Sequence, residues 1–404
     1  MDQALSLFNL LEPTVLANPY PFYRPLLEQH PVYWDQYVKA WVCVRYKDVL
    51  FALHSHQLSA KRIPSVDQLL ALGLKDIAPL YATLEQQLLF IDPPDHSRLR
   101  RLMSTAFTTR KVEAMRPYIE DIVHRILDRV EGTGFMDIIH ALAYPLPLTV
   151  IAELLGLPLE DRNRLKKWSD DYAAMLGSFQ YIPDQIVEIQ QSISEMMTYF
   201  RHMIEQRRQH PQDDLISVLI AAYDQDDQLT DDNLITNCIL LLAAGHETTT
   251  NLIGNGILTL LNHPDQLHQV REDPSQLPNA VEEILRYESP AQYTARLALD
   301  DLEISGKRIH KGQVVILLLG AANRDPFQFE NPEVFDIQRQ GNKHLAFGYA
   351  AHFCLGAPLA RLEGQIAIHA VIQRFPRLRL MNEKPLWRQN VNIRGLSELL
   401  VAFD

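Results

Sequence analysis

One stretch constrains the fold of this chain more than any other. From Asp231 to Asn262 the sequence reads as a single uninterrupted helix. Thr230, Asp231 and Asp232 cap and charge its start, and Asn262-His263-Pro264 ends it. At about 1.5 Å per residue it spans roughly 45–50 Å, about the width of a molecule this size. Its first half, with Leu234, Ile235, Ile239, Leu240, Leu241 and Leu242, is apolar nearly all round, which predicts a helix that threads the core.

Immediately after that apolar half comes Ala244-Gly245-His246-Glu247-Thr248-Thr249-Thr250. A mid-helix glycine costs about 1 kcal/mol relative to alanine, and adjacent polar side chains weaken burial further. A ligand pressed against Ala244 and Gly245 would use the missing bulk. A carboxylate and a hydroxyl beside bound dioxygen, Glu247 and Thr248, could pass in protons. A kink with a polar face turned to the surface is the structural alternative. His246 is expected to point away.

A second constellation is Phe347-Gly348-Tyr349-Ala350-Ala351-His352-Phe353-Cys354-Leu355-Gly356, just before the amphipathic run Pro358 to Phe375. A cysteine at a helix N-terminus feels the positive end of the helix dipole and nearby N–H groups, and both favour thiolate. Gly348, Ala350 and Gly356 keep the loop thin enough for a flat ligand to lie against its backbone. His352 can meet an acidic group of that ligand. These features describe a thiolate ligand to haem iron. The alternative is a buried structural cysteine, as expected of Cys43 in Trp41-Val42-Cys43-Val44 and of Cys238 in the apolar helix. Zinc is disfavoured because no second cysteine sits at ligand spacing.

At this loop the chain resembles the cytochrome P-450 family of haem-thiolate monooxygenases. The pattern Phe-Gly-x-Gly-x-His/Arg-x-Cys-x-Gly falls on Phe347, Gly348, Ala350, His352, Cys354 and Gly356, with Ala350 where glycine is usual. Should that backbone need a positive φ, the methyl costs about 1 kcal/mol. The family's Ala/Gly-Gly-x-Glu/Asp-Thr pattern matches Ala244, Gly245, Glu247 and Thr248. By that resemblance Thr248 hydrogen-bonds the bound oxygen and Glu247 belongs to the proton-delivery route. The resemblance also makes Glu283, Arg286 and Arg339 a structural brace, and gives haem propionates to His96 and Arg100, one turn apart, with Arg296 and His352. Alone, the first pair reads as a solvated basic face. The cofactor implied is haem b (iron protoporphyrin IX).

The fold implied is mainly α (α+β), a helix-rich triangular single domain over residues 1–404 with small β-sheets. Haem would lie between the long central helix and the helix after Cys354. The residue patterns agree: helices over 95–106, 111–131, 147–155, 159–174, 183–209 and 213–222, a hairpin over 32–37 and 40–45, and short strands over 302–305, 307–310 and 313–318. Residues 59–90 read as mostly irregular.

No linker divides the chain; 47% hydrophobic and 22% charged residues allow a large core. A net charge of −12 without a basic run argues against nucleic acid. The N-terminus lacks signal-peptide features, no eighteen-residue apolar run occurs, and three cysteines suit a reducing compartment. The expectation is a cytoplasmic, monomeric protein with no membrane anchor, which within the family looks bacterial.

The activity implied is insertion of one oxygen atom from O2 into a small, largely apolar organic substrate. No flavin or nicotinamide fingerprint occurs, so electrons would come from a ferredoxin with its reductase. A peroxide-driven peroxygenase and a non-catalytic haem sensor are the alternatives. Expected substrate-lining segments are 59–90, 172–186, 237–244, 290–294 and 391–393, with Tyr81, Phe90, Phe179, Tyr181 and Tyr293 as aromatic candidates.

Overall fold

The computed structural model describes residues 5–71, 78–177, 183–223, 230–382 and 384–403. The chain forms two compact units, both of them discontinuous in sequence. One comprises Met1–Leu58, Val112–Leu146 and Thr248–Asp404; the other comprises Ser59–Lys111 and Pro147–Glu247. The central helix is observed over Asp231–Asn262, as the sequence predicts, and contributes to both. Thr230 caps it, its hydroxyl accepting from Asn233 N at 3.2 Å.

The first unit is built on a five-stranded sheet in the order Val32–Asp35, Ala40–Cys43, Val314–Leu318, Tyr293–Ala298, Leu58–Ser59. The predicted hairpin pairs Val32 with Cys43 and Trp34 with Trp41. Alternation sends Cys43, Val315 and Leu317 into a core shared with Val49, Leu53, Leu302 and Ile309. Strand Tyr293–Ala298, which sequence reading missed, pairs antiparallel with Val314–Leu318. The helix Ala357–Arg374 lies close against the C-terminal half of the central helix, because both offer glycines at the crossing. A Cβ on Gly364 would come within 3.0 Å of Leu252, and one on Gly256 within 2.9 Å of Ile368. This packing carries the cysteine loop into the same unit as Thr248.

A buried ion cluster ties down the segment leading to that loop. Glu283 on helix Leu277–Tyr287 accepts two bonds of 2.8 Å from Arg286 and two more, at 3.1 and 3.2 Å, from Arg339. Asp336 N and Asn342 Nδ2 donate to it as well, each at 3.0 Å. Arg286 spends its remaining donors on the carbonyls of Asn323, Pro332 and Val334.

The second unit is helical. Residues 59–90 are more regular than expected, with helices Val66–Ala71 and Ala78–Glu85 and a 3-10 turn Leu88–Phe90. Helix Arg162–Leu176 packs on Pro183–Gln209, where Trp168 Nε1 donates to Glu195 at 2.9 Å. The predicted run 111–131 is two helices, Thr109–Ala114 and Arg116–Asp128, the latter belonging to the first unit. Among the described residues no helix is long and apolar enough to cross a membrane.

Glu283→Gln strands two buried guanidiniums without their counter-charge. Removing one partner of a buried pair costs about 3–5 kcal/mol. Urea unfolding should show a loss of that size; a loss of less than about 1 kcal/mol, the worth of a surface pair, would contradict this assignment.

Candidate active site

The cysteine loop is closed by its own backbone. Cys354 N donates to Phe347 O at 2.8 Å, and Gly348 N to Leu345 O at 2.8 Å. Gly348 has φ 69° and Ala350 φ 55°, both in the left-handed region. The alanine that replaces the usual glycine therefore sits where its methyl is strained. A short 3-10 turn, Ala350–His352, follows, and the helix Ala357–Arg374 starts from Gly356. Cys354 is partly accessible, whereas Cys43 and Cys238 are completely buried. Burial pushes the Cys43 thiol up and the Cys238 thiol up to about 12, far from thiolate at neutral pH.

A brace that sequence reading missed holds the loop from behind. The Arg361 guanidinium lies 4.6 Å over the Phe347 ring and forks onto Glu282 at 2.6 and 2.8 Å. His344 Nε2 approaches the same carboxylate at 3.2 Å. Burial raises the Glu282 pKa, but bonds from Arg361 and His344 outweigh it and hold the carboxyl down at about 2, against an ordinary 4.5. Glu282 stands beside Glu283 in sequence, and only the latter belongs to the recognised pattern.

On the central helix, Ala244 is exposed and Gly245 and Thr248 are half-buried, while the flanking turns are buried. These three form one accessible face in a helix that is otherwise covered from Leu234 to Leu260. Gly245 has a further reason to be small, since a Cβ there would stand 3.2 Å from Ile151. The glycine thus serves helix packing as well as the open face. Glu247 is buried. His246 does turn away from the open face, but into the second unit's interior, where Nδ1 lies 3.0 Å from Ser169 Oγ.

His96 (1% exposed) and Arg100 (half-buried) share helix Asp95–Ser104 one turn apart. Arg296 (4% exposed) leaves strand Tyr293–Ala298 and donates to Ala295 O at 2.8 Å; His352 is half-buried in the cysteine loop. The first unit thus holds Thr248, Arg296, Phe347, Gly348, His352, Cys354 and Gly356, and the second His96, Arg100, Ala244, Gly245 and Glu247.

Two of the expected substrate-lining residues have other work. Asn237 is fully buried and clamps the 86–88 turn, accepting from Leu88 N at 2.8 Å. Phe90 is buried beneath the Arg62 guanidinium at 4.4 Å. Tyr81 and Tyr293 are half-buried. Phe179 and Tyr181 lie outside the described residues.

Residues 75–393, most of the chain and parts of both units, match the family model described as Cytochrome P450. The chain belongs to the cytochrome P450 family. A biotin biosynthesis cytochrome P450 from Bacillus subtilis is 43% identical over 96% of this chain and 97% of its own. The 6-deoxyerythronolide B hydroxylase of Saccharopolyspora erythraea is 41% identical over 95% and 96%. Among solved structures, P450BioI in complex with hexadec-9Z-enoic acid ligated acyl carrier protein matches with a TM-score of 0.90 and 41% identity, over 97% of this chain and 99% of that one. The expected P450 fold is thus borne out, and the protein is a P450 monooxygenase. Membership of the family implies a haem cofactor, O2 as co-substrate and redox partners.

Two measurements probe the loop. Ala350→Gly relieves a left-handed alanine and should raise stability by about 1 kcal/mol in thermal or urea unfolding; a loss would contradict the strain assigned to Ala350. Because the Glu282 pKa is depressed, its contribution is complete above pH 4.5 and disappears as pH falls toward 2. Glu282→Gln should therefore flatten the acid limb of the stability profile between those values, and an unchanged limb would remove Glu282 from the brace.

Proposed function

We propose that this P450 inserts one oxygen atom from O2 into an apolar organic substrate, with iron protoporphyrin IX held by Cys354. The observation that carries the proposal is that one chain offers both an accessible thiol in a strained, thin loop and a central helix with an accessible face at Ala244, Gly245 and Thr248 beside the buried Glu247. The residues present fit the cofactor. Beside Gly356 a Cβ would meet nothing within 4 Å, and beside Gly348 only His352 O at 3.4 Å, so the loop offers a flat group an open backbone face. Ala244 and Gly245 offer another.

When bound, the haem supplies the binding and reductive activation of dioxygen. Cys354 would hold the iron, on a loop whose first residue, Phe347, accepts from Cys354 N and is covered by Arg361. His96, Arg100, Arg296 and His352 would hold the haem carboxylates, the partners that buried guanidinium and imidazole donors accommodate best. Glu247, buried and next in sequence to Thr248, hands on protons. The Thr248 hydroxyl orients the last of them toward the reacting oxygen and keeps bulk water from competing.

Electrons would come from a ferredoxin and its reductase, an acidic donor meeting exposed Arg101 and Lys343. Arg98, the third candidate contact, is more covered and pairs with Asp95 at 3.2 Å. The whole chain, 1–404, would act as a single catalytic domain, supported by a family match that runs through both units. We place it, as a monomer, in a reducing bacterial cytoplasm, in keeping with three cysteines that form no disulfide with one another. An apolar substrate is supported by the relatives, one solved in complex with hexadec-9Z-enoic acid ligated acyl carrier protein and another a 6-deoxyerythronolide B hydroxylase.

Thr248→Ala tests the mechanism. With ferredoxin, reductase and an apolar substrate that shifts the haem spin state, the variant should bind substrate and consume electrons like wild type. It should also divert much of the flux from product to hydrogen peroxide. Equal product per electron in the two proteins would remove Thr248 from the reaction.

A further inference from the structure

In the run Ala244–Thr248 every residue but one already has a role. The exception, His246, is fully buried, on the side of the helix turned away from Ala244, Gly245 and Thr248. An apolar side chain would fill that place without the cost of desolvating two ring nitrogens. Instead the ring meets Ser169, itself fully buried on helix Arg162–Leu176, with Nδ1 3.0 Å from Oγ. The same Nδ1 lies 3.8 Å from Glu247 Oε1. Consecutive helical residues diverge by about 100°, so the glutamate side chain reaches this distance only by leaning toward the imidazole.

One nitrogen facing both a hydroxyl and a carboxylate gives the contact a direction. When Nδ1 carries the hydrogen it donates to Ser169 Oγ and turns a partial positive charge toward Glu247. When Ser169 donates instead, the Nδ1 lone pair faces the carboxylate and repels it. The Glu247 carboxylate favours the Nδ1–H tautomer and Ser169 holds it by accepting from Nδ1, and with that tautomer in place the carboxylate rests toward the ring. Through this one bond the position of helix Arg162–Leu176 is communicated to an acid on the central helix.

We propose that His246 is a positioning residue for Glu247, oriented by Ser169, and that it holds the carboxylate in the rotamer from which protons are delivered. This rests on the reading of Glu247-Thr248 as the proton-delivering pair. The bond would also make proton delivery sensitive to displacement of helix Arg162–Leu176.

The test uses the holoenzyme with three variants, His246→Leu, His246→Gln and Ser169→Ala, beside Thr248→Ala. The leucine variant and Ser169→Ala should each raise peroxide per electron about two- to ten-fold, the worth of one neutral hydrogen bond, with the substrate-induced spin shift unchanged. Glutamine, whose amide can bond Ser169, should restore most of the coupling. Independently of turnover, nitrogen-15 NMR of labelled histidine should show the His246 Nδ1 resonance change between its protonated and unprotonated positions in Ser169→Ala. An unmoved resonance, or wild-type coupling in both Ser169→Ala and a folded His246→Leu protein, overturns the proposal. If His246→Leu does not fold, Ser169→Ala alone decides. Uncoupling by Thr248→Ala with normal coupling in the others sinks this inference and spares the mechanism; normal coupling by Thr248→Ala sinks the mechanism itself.

Discussion

The site depends on a carboxylate that never meets solvent. Glu283 gathers two guanidiniums, one amide side chain and one backbone N–H, and so pins the irregular stretch 330–342 onto helix Leu277–Tyr287. That stretch has little regular hydrogen bonding of its own. Arg286 and Arg339 replace it by donating to the carbonyls of Glu330, Asn331, Pro332 and Val334. The cysteine loop leaves directly from its end. An uncompensated charge is far costlier in this interior than at the surface, so the cluster holds as a unit or fails as one.

From that anchor the loop is held at two further points. Glu282, the preceding residue, reaches Arg361 on the following helix, and Arg361 covers Phe347 at the loop's start. Helix Ala357–Arg374 is then seated on the central helix through Gly364 and Gly256. Strain at Ala350 is tolerated because its neighbours are fixed on both sides. Rigidity here suits the role proposed for Cys354, since a metal-binding thiol does its work only if its position is not renegotiated at each turnover.

Much of this was legible in the sequence, for identifiable reasons. The central helix could be bounded to the residue because caps, apolar periodicity and a terminal His-Pro agree. The Cys354 loop and the Glu247-Thr248 pair stand out because their residue types fit poorly as plain structure. Strand Tyr293–Ala298 was missed although Tyr293, Ala295 and Leu297 alternate with Thr294 and Arg296, because the run is short and its place is set by pairing with Val314–Leu318, a non-local fact. Helices Val66–Ala71 and Ala78–Glu85 were hidden by Pro64 and Pro79, which read as breakers although each stands at or before a helix's first turn. The Glu282–Arg361 brace and the Ser169–His246 bond join residues 79 and 77 apart, and no local pattern announces such pairs.

The central claim is that Cys354, and neither of the other two thiols, carries the iron. Its most direct test is the absorption spectrum of the reduced carbon monoxide complex in Cys354→Ser, Cys43→Ser and Cys238→Ser proteins. The red-shifted Soret band of thiolate ligation is expected to survive in the last two and to be lost in the first. A band retained in Cys354→Ser, or lost in either of the others while Cys354→Ser keeps it, would contradict the claim.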